Sequence, residues 1–260
     1  MDDRRQTLKA RLFLFIFLVG LLTLMMSRNE IQPAGAQNNL PPLTLVKNAI
    51  LLEDWVRLTV DEPQRTGAAW FPTKQQVQDG FTATFDWQIV RARAVGGDGF
   101  AFVIQNTSDV ALGAGASGIG YSGIANSIAV EFDTTQNPPE EFGGMPSDPN
   151  ANHLSVQSRG TFPNSADPTY SLGTTTTIPV LSDGKVHRAK IIYKPGNLRI
   201  FLDNMDVAVL NATVYLGKQL KLDEGKAWVG FTAATGGRSQ VHDIRSFSFT
   251  GAAAEPTNIH

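Results

Sequence analysis

The 260-residue sequence contains no cysteine. This absence excludes a disulfide framework, thiolate zinc sites, iron–sulfur ligation and a catalytic cysteine. Excess charge is nearly absent too, because 22 Lys and Arg face 24 Asp and Glu and the formal net charge is −2. The chain therefore has no general attraction to nucleic acid or anionic lipid. With 42% hydrophobic residues, one domain can form a sufficient core without covalent staples.

The N-terminal segment has the composition of an export signal. Residues 1–11 carry four basic side chains, and residues 12–26 form an unbroken run of 15 apolar, Gly and Thr residues. This run is shorter than the roughly 20 residues that a helix needs to cross a bilayer. With Ala34-Gly35-Ala36 behind it, the pattern predicts a signal peptide over residues 1–36, with an uncleaved N-terminal anchor as the alternative. We therefore expect a secreted or cell-surface protein.

The rest of the chain is predicted to be all-β. Some segments alternate apolar and polar residues, as half-buried strands do, and others are short apolar runs suited to buried strands. The predicted strands lie at 56–60, 81–89, 100–104, 128–130, 189–193, 198–202, 228–233 and 245–249. The one weak helical pattern falls near residues 216–222. Such a series predicts an antiparallel two-sheet sandwich.

The sandwich is assigned to a single domain over residues 48–251. No internal repeat, charge block or low-complexity segment marks a second domain. Residues 37–47 are assigned to a lead-in and residues 252–260 to a tail. Four tryptophans are expected to pack in the core: Trp55, Trp70, Trp87 and Trp228. His187 and His242 are interpreted as framework or surface histidines outside any site.

Two carboxylates are predicted to share one face of a strand. Glu131 and Asp133 lie two residues apart in an otherwise apolar segment, about 7 Å apart on the same side. Buried carboxylates so placed repel each other unless a cation balances them. Asn137, Asp148 and His153 add an amide, a third carboxylate and an imidazole. Oxygen donors suit calcium and the imidazole suits a transition ion such as manganese; the alternative is a solvated acidic turn.

Five motifs in order resemble those of the legume-type (L-type) lectins, over nearly all of residues 45–251. They are Gly97-Asp98-Gly99-Phe100-Ala101-Phe102; Val130-Glu131-Phe132-Asp133-Thr134 with Asn137; Asp148 with His153; Asp183-Gly184-Lys185-Val186-His187; and the ending from Gly230-Phe231-Thr232-Ala233 to Ser246-Phe247-Ser248-Phe249. The glycine-rich loop, the alanine-rich tail and the export signal are most similar to bacterial members.

The resemblance implies a concanavalin A-like jelly-roll sandwich of two antiparallel sheets, with calcium and manganese side by side. By motif position, manganese or another transition ion would be held by Glu131, Asp133, Asp148 and His153. Calcium would be held by Asp133, Asn137, Asp148 and the backbone carbonyl of Thr135. Sugar hydroxyls would be bound by Asp98 and Asn137, by a backbone amide near Gly118, and by the variable loop at Gly237 and Arg238. The resemblance also implies a cis peptide bond between Gly97 and Asp98.

We therefore expect a calcium- and manganese-dependent carbohydrate-binding protein that recognises glycans without catalysis. The expected partners are glycans and not nucleic acid, and a membrane only through an uncleaved N-terminal segment. Because monosaccharide affinity should be weak, avidity would need several copies, and a homo-oligomer is one way to supply them. Thr135 and Gln136 stand where the family usually has a sugar-stacking aromatic residue, which weakens stacking unless Phe142 substitutes.

Two other functions compete with glycan binding. Retaining glucanases share this architecture and also carry Glu-x-Asp on a strand, so the chain could be a glycoside hydrolase. Hydrolysis needs a second acid about 5 Å from the nucleophile, but Thr135 and Gln136 occupy the positions where the glucanase pattern has it. The chain could also be a structural or adhesive exported domain in which the ions only brace the loop.

Overall fold

The computed structural model describes residues 40–90, 96–139 and 147–252. The predicted signal segment 1–36 and all of the predicted tail except Ala252 lie outside these ranges. Within them, the chain is almost entirely strand and turn. The strands are β1 Thr44–Lys47, β2 Ile50–Leu52, β3 Trp55–Thr59, β4 Thr66–Trp70, β5 Gln75–Gln76, β6 Phe81–Val90, β7 Gly99–Gln105, β8 Ser127–Asp133, β9 His153–Ser158, β10 Ser171–Thr175, β11 Val186–Lys194, β12 Asn197–Leu202, β13 Leu210–Ala212, β14 Lys226–Ala234 and β15 Val241–Gly251.

These strands form two antiparallel sheets, which confirms the predicted sandwich. The front sheet has the order β1-β4-β14-β7-β8-β9-β10, and β5 adds a short pairing to β14. The back sheet has the order β13-β12-β11-β6-β15-β3-β2. Neighbours in both sheets pair antiparallel. Strands that are distant in sequence therefore lie side by side. The start of β7 and the ends of β8 and β14 lie together at one end of the front sheet, where Gly99 pairs with Asp133 and with Ala234.

All eight predicted strand segments are strands, and the structure adds others that the pattern missed. β1 lies inside the segment assigned to the lead-in, where residues 44–47 pair with β4 along the sheet edge. The lead-in therefore contributes a strand to the fold. The weak helical pattern near 216–222 corresponds to one short helix, α1 Leu216–Gln219. No helix within residues 40–90, 96–139 and 147–252 is long and apolar enough to cross a membrane.

The core lies between the sheets and is built around aromatic side chains. β6 turns every second residue inward, and its burial alternates along the whole strand. Phe85, on this inner face, lies with its ring centroid 4.9 Å from that of Phe231 in an edge-on contact and 6.0 Å from that of Phe102 in a stacked one. Such pairs add about 0.5–1.5 kcal/mol each beyond the burial of their area. The aromatic residues of both sheets thus hold the sandwich together.

The outer face of the front sheet is covered by the glycine-rich loop over residues 111–126. Ile119, Tyr121 and Ile124 of this loop are buried against β4, β7 and β8 in a second, smaller apolar cluster. The loop is therefore packed onto the sheet and shields it from water. This packing brings Tyr121 over the face of β8 that carries Glu131.

Three of the four tryptophans pack in the core as predicted, and the prediction is wrong for Trp55. Trp70 and Trp87 are almost fully buried. Trp55 and Trp228 are half-buried, and each is covered by a cation: the Arg245 guanidinium lies 4.2 Å from the Trp55 ring centroid, and a lysine ammonium lies at the same distance from Trp228. Trp228 also packs against the smaller apolar cluster, whereas at Trp55 the cation–π contact takes the place of core packing.

His187 bridges two aspartates on the back sheet. Its Nδ1 lies 2.8 Å from Asp203 Oδ2 and its Nε2 lies 2.9 Å from Asp183 Oδ1, while its ring stacks on Trp87. Burial lowers the pKa of His187, but the hydrogen bonds and charges of Asp203 and Asp183 outweigh it and raise the pKa above 6.5. His187 is thus a framework histidine, as predicted.

Candidate functional site

The candidate site is built on β8 and its neighbour β9. Alternation along β8 turns Val130 and Phe132 into the core and places Glu131 and Asp133 together on the opposite face. The antiparallel register sets Asp133 opposite His153. Ligand-type atoms of Glu131, Asp133 and His153 all lie within 4.8 Å of one another, and all three residues are buried. The predicted sharing of a face is confirmed.

Glu131 is held by two hydroxyl donors that the sequence did not reveal. Tyr121 Oη donates to Glu131 Oε1 at 3.1 Å, and Ser155 Oγ donates to Oε2 at 2.6 Å. Burial raises the pKa of Glu131 to about 7, with the charge of Asp148 adding to the rise and the bond from Ser155 opposing it. The carboxylate is oriented from both sides, yet its charge is poorly solvated.

Asp133 lies in the same unfavourable surroundings. Burial raises the pKa of Asp133 well above its usual value, and the charges of Glu131 and Asp148 raise it further. The Thr135 amide donates to Asp133 Oδ1 at 2.6 Å, which opposes the rise. Three carboxylates crowded in a buried space are costly unless cations neutralise them.

His153 offers a neutral imidazole to the cluster. Its Nδ1 lies 2.9 Å from the carbonyl oxygen of Asn150, a contact that assigns the ring proton to Nδ1 and leaves the Nε2 lone pair available. Burial lowers the pKa of His153, while the Asn150 contact opposes that change. A histidine that donates its other N–H to a carbonyl is the usual outer-shell arrangement of a metal ligand.

The loop after β8 brings Asn137 and Asp148 together. The backbone N–H of Asn137 donates to Asp148 Oδ2 at 2.9 Å, and the backbone N–H of Asp148 donates back to the backbone carbonyl of Asn137 at 3.3 Å. Both residues are buried. Despite the long excursion between them, the two predicted calcium ligands are therefore neighbours. Phe142, the suggested stacking residue, lies outside the described residues.

Asp98 lies at the start of β7, beside the cluster. The Gly97–Asp98 peptide bond is cis, as the resemblance implied. The Asp98 backbone is fixed from both neighbouring strands: its amide donates to the Ala234 carbonyl, and its carbonyl accepts bonds from the amide and hydroxyl of Thr134, all at 2.9 Å. Asp98 contributes to the raised pKa of Asp133. The predicted sugar-binding carboxylate and the predicted metal ligands thus form one site.

The variable loop after β14 borders Asp98. An ideal Cβ on Gly236 would lie 2.9 Å from Asp98 Oδ2 and 3.1 Å from Ala116 Cβ, so Ala116 lies beside Asp98. Gly237 and Arg238 are exposed at the rim. The Gly118 amide donates to the Gly115 carbonyl at 3.0 Å, so a sugar contact there would have to replace that bond.

A buried polar chain runs beneath the Asp98 loop. Gln240 Nε2 donates to the Thr134 hydroxyl and lies 3.1 Å from His242 Nε2, and His242 Nδ1 lies 2.6 Å from Thr59 Oγ1. Burial lowers the pKa of His242 to about 3, so the ring is neutral and accepts from Gln240 through Nε2. The predicted framework role of His242 is confirmed, whereas its link to Thr134 was not anticipated.

The donor set fits divalent cations on chemical grounds. Buried carboxylates with raised pKa values, a neutral imidazole and an amide provide hard oxygen donors and one nitrogen. Oxygen ligands suit Ca²⁺, and a mixed oxygen–nitrogen set suits an ion such as Mn²⁺.

Comparison with known sequences and structures agrees with this geometry. The family model described as the legume lectin β-barrel domain matches residues 37–248. A probable L-type lectin-domain containing receptor kinase S.7 from Arabidopsis thaliana is 32% identical over 178 residues, or 59% of this chain. The match spans 23% of the length of that kinase, so only part of the relative is compared.

Solved lectin structures share the fold. A lectin from Bauhinia forficata in complex with GalNAc has a TM-score of 0.67 at 21% identity, covering 82% of this chain and 93% of that one. The exoplasmic/lumenal domain of VIP36, in a Ca²⁺/Man-bound form, has a TM-score of 0.66 at 17% identity, with 84% and 86% covered. Basic winged bean lectin with Tn-antigen has a TM-score of 0.63 at 25% identity, with 80% and 91% covered.

Proposed function

Because the chain belongs to the legume lectin domain family, we propose that it is an exported lectin that binds glycans in a calcium- and manganese-dependent manner and performs no chemistry on them. The observation that carries this proposal is the buried cluster of Glu131, Asp133 and His153 beside Asp98. Such a cluster has no role in core packing, and it lies where a bound ion would fix the loops around an exposed rim.

The two ions would share the carboxylates of the site. Manganese would be held by Glu131, Asp133, Asp148 and His153, and calcium by Asp133, Asn137, Asp148 and the carbonyl of Thr135. When bound, the ions supply positive charge that balances the buried carboxylates and ties the loop after β8 to the sheet. The support given by Tyr121, Ser155 and Asn150 orients the first set of ligands before any ion arrives.

Sugar recognition would use groups that the fold already holds in place. The Asp98 carboxylate would accept hydrogen bonds from sugar hydroxyls, and the side-chain amide of Asn137 would donate to them. Gly237, Arg238 and the turn around Ala116 and Gly118 would border the sugar and tune the choice among glycans. Since the Asp98 backbone is fixed on both sides, little ordering cost opposes binding.

The same proposal covers location and assembly. The relatives include an exoplasmic/lumenal domain and a lectin-domain receptor kinase, which agrees with a secreted or cell-surface protein. A single shallow sugar site gives weak affinity, so a homo-oligomer that engages several sugars would supply avidity.

No observation favours hydrolysis. Both oxygens of Glu131 accept hydrogen bonds from Tyr121 and Ser155 inside the fold, and the positions where a glucanase would carry its second acid hold Thr135 and Gln136. Release of reducing sugar from oligosaccharides by the purified protein would contradict the non-catalytic proposal.

A glycan array probed with the full chain tests the function. We expect binding in Ca²⁺ and Mn²⁺ that disappears in EDTA, and equal signals in both conditions would overturn the metal dependence. Asp98→Ala should abolish glycan binding yet leave ion binding measurable by calorimetry. Asp206→Ala, an exposed control in the loop between β12 and β13, should change neither. A wild-type chain that binds ions but no glycan would favour the structural alternative.

A further inference from the structure

A second groove adjoins the Asp98 site on the side away from the metal cluster. It has a volume of about 360 Å³, which lies within the range of about 300–1,000 Å³ typical of small-molecule sites. Lys47, Gln64 and Thr66 line it together with Gly115 and Ala116. The loop over residues 235–237 completes it.

The groove and the Asp98 carboxylate are separated only by a glycine. A Cβ on Gly236 would lie 2.9 Å from Asp98 Oδ2 and 3.1 Å from the Cβ of Ala116, which lines the groove. At Gly237, a Cβ would meet no atom within 4 Å. A ligand held at Asp98 can therefore continue past Gly236 and the small side chain of Ala116 into the groove.

The wall of the groove is pre-formed. The backbone N–H of Gln64 donates to the Gly236 carbonyl at 3.0 Å, and the backbone N–H of Thr235 donates to the Arg65 carbonyl at 2.8 Å. The Thr235 hydroxyl donates to the Glu62 carbonyl at 2.7 Å. These bonds join the loop after β14 to the loop before β4, so a ligand would find its contacts already ordered.

Two exposed cations lie by the groove and the Asp98 loop. Lys47 lines the groove, and the Cβ of Arg238 lies 3.7 Å from the position of a Cβ on Gly97. Neither cation forms a salt bridge with any residue in the described ranges. By contrast, neighbouring Arg65 is paired with Glu62. Both side chains are exposed, so a carboxylate on a ligand can reach them.

From these observations we infer that the groove is a second saccharide subsite that selects an acidic sugar linked to the sugar at Asp98. A uronic or sialic acid unit carries the required carboxylate, which Lys47 would bind while Gln64 and Thr66 contact its hydroxyls. The inference rests on the proposed lectin function and specifies its ligand class.

Paired oligosaccharides test this subsite. Members of each pair have the same core and differ only in whether the terminal unit is glucuronic acid or glucose. The full chain, loaded with Ca²⁺ and Mn²⁺, should bind the acidic member more tightly, and the preference should shrink as salt rises. Lys47→Gln should reduce the acidic-to-neutral affinity ratio by about two- to fivefold and leave the neutral affinity nearly unchanged.

A matched control separates local charge from net charge. Lys226→Gln makes the same charge change at the opposite end of β14 and should leave the affinity ratio unaltered. Equal wild-type affinity for both members, or equal effects of the two lysine variants, would overturn the subsite. Asp98→Ala should lose both members, whereas Lys47→Gln loses only the preference. If the wild-type chain binds no glycan at all, the lectin function fails and the subsite is refuted with it.

Discussion

Replacing Tyr121 with Phe removes one hydroxyl from the wall of the proposed metal site. Tyr121 is completely buried, and its hydroxyl donates to Glu131 Oε1 at 3.1 Å. Burial, together with the nearby charge of Glu131, raises the pKa of Tyr121 well above 10, so the hydroxyl is a donor throughout the working pH range. Tyr121→Phe keeps the ring in its apolar cluster and deletes only this bond.

The expected loss is in affinity for the ion that Glu131 binds. A hydrogen bond to a charged group contributes about 1.5–3 kcal/mol, and about 1.4 kcal/mol corresponds to a tenfold change in affinity. The affinity should therefore fall by about 10- to 100-fold, which is the usual effect of removing a group that orients a metal ligand. The bond from Ser155 at 2.6 Å remains, so ion binding should weaken and not vanish.

Calorimetric titration of the metal-free chain with Mn²⁺ and then Ca²⁺ measures this loss. Tyr193→Phe is the matched control, because Tyr193 is equally buried and its hydroxyl accepts a bond from the Leu216 amide at 2.9 Å, far from the site. The control should cost about 1 kcal/mol of stability and leave ion affinity unchanged. Wild-type affinity in Tyr121→Phe, or an equal loss in both variants, would refute the orienting role.

The remaining predictions concern the core, a bridged histidine and the buried polar chain. Phe85→Ala should lower the free energy of unfolding in urea by about 3–5 kcal/mol, and a loss below 1 kcal/mol would contradict its central place. The pKa of His187 is raised above 6.5, so its bridge stabilises fully below pH 6.5 and is lost as pH rises through the folded pKa. Between pH 5.5 and 8.5, the wild type should lose about 1 kcal/mol that His187→Gln does not; identical urea curves would refute this. Gln240→Leu and Thr59→Val should shift the melting temperature by similar amounts, but Gln240→Leu should weaken glycan binding more. The reason is that Gln240 contacts Thr134, whose hydroxyl holds the Asp98 carbonyl, whereas Thr59 does not.

The sequence predicts strands where apolar residues alternate with polar ones, and also where they form a short continuous run, as in β7 and β8. β6 shows the first pattern most clearly, since inward and outward residues alternate over its whole length. β4 was missed because Gly, Ala and Trp are buried on both faces and leave no alternation. In β9, Leu154 and Val156 alternate with Ser155 and Gln157, but two apolar residues are too short a pattern to indicate a strand. The polar face of β9 is buried because it belongs to the site, where Ser155 donates to Glu131.

The positions of site residues were predictable where a single strand sets them, and less so where the pairing of two strands sets them. Two-residue spacing was enough to place Glu131 and Asp133 together. The pairing of His153 with Asp133 follows from the register of two strands separated by a long loop, and only the family motifs indicated it. Tyr121 had no signal, because it reaches Glu131 through the packing of an irregular loop.

The glycines of that loop connect packing to function. Gly120 has a φ of +75°, and a Cβ there would lie 3.1 Å from the Cβ of Thr232 and 3.2 Å from the carbonyl oxygen of Ala233. Only glycine lets the chain come this close to β14 with that backbone conformation. The next residue is Tyr121, so the close approach is what brings its hydroxyl to Glu131. A larger residue at Gly120 would therefore lift Tyr121 from the carboxylate and weaken ion binding without touching a ligand.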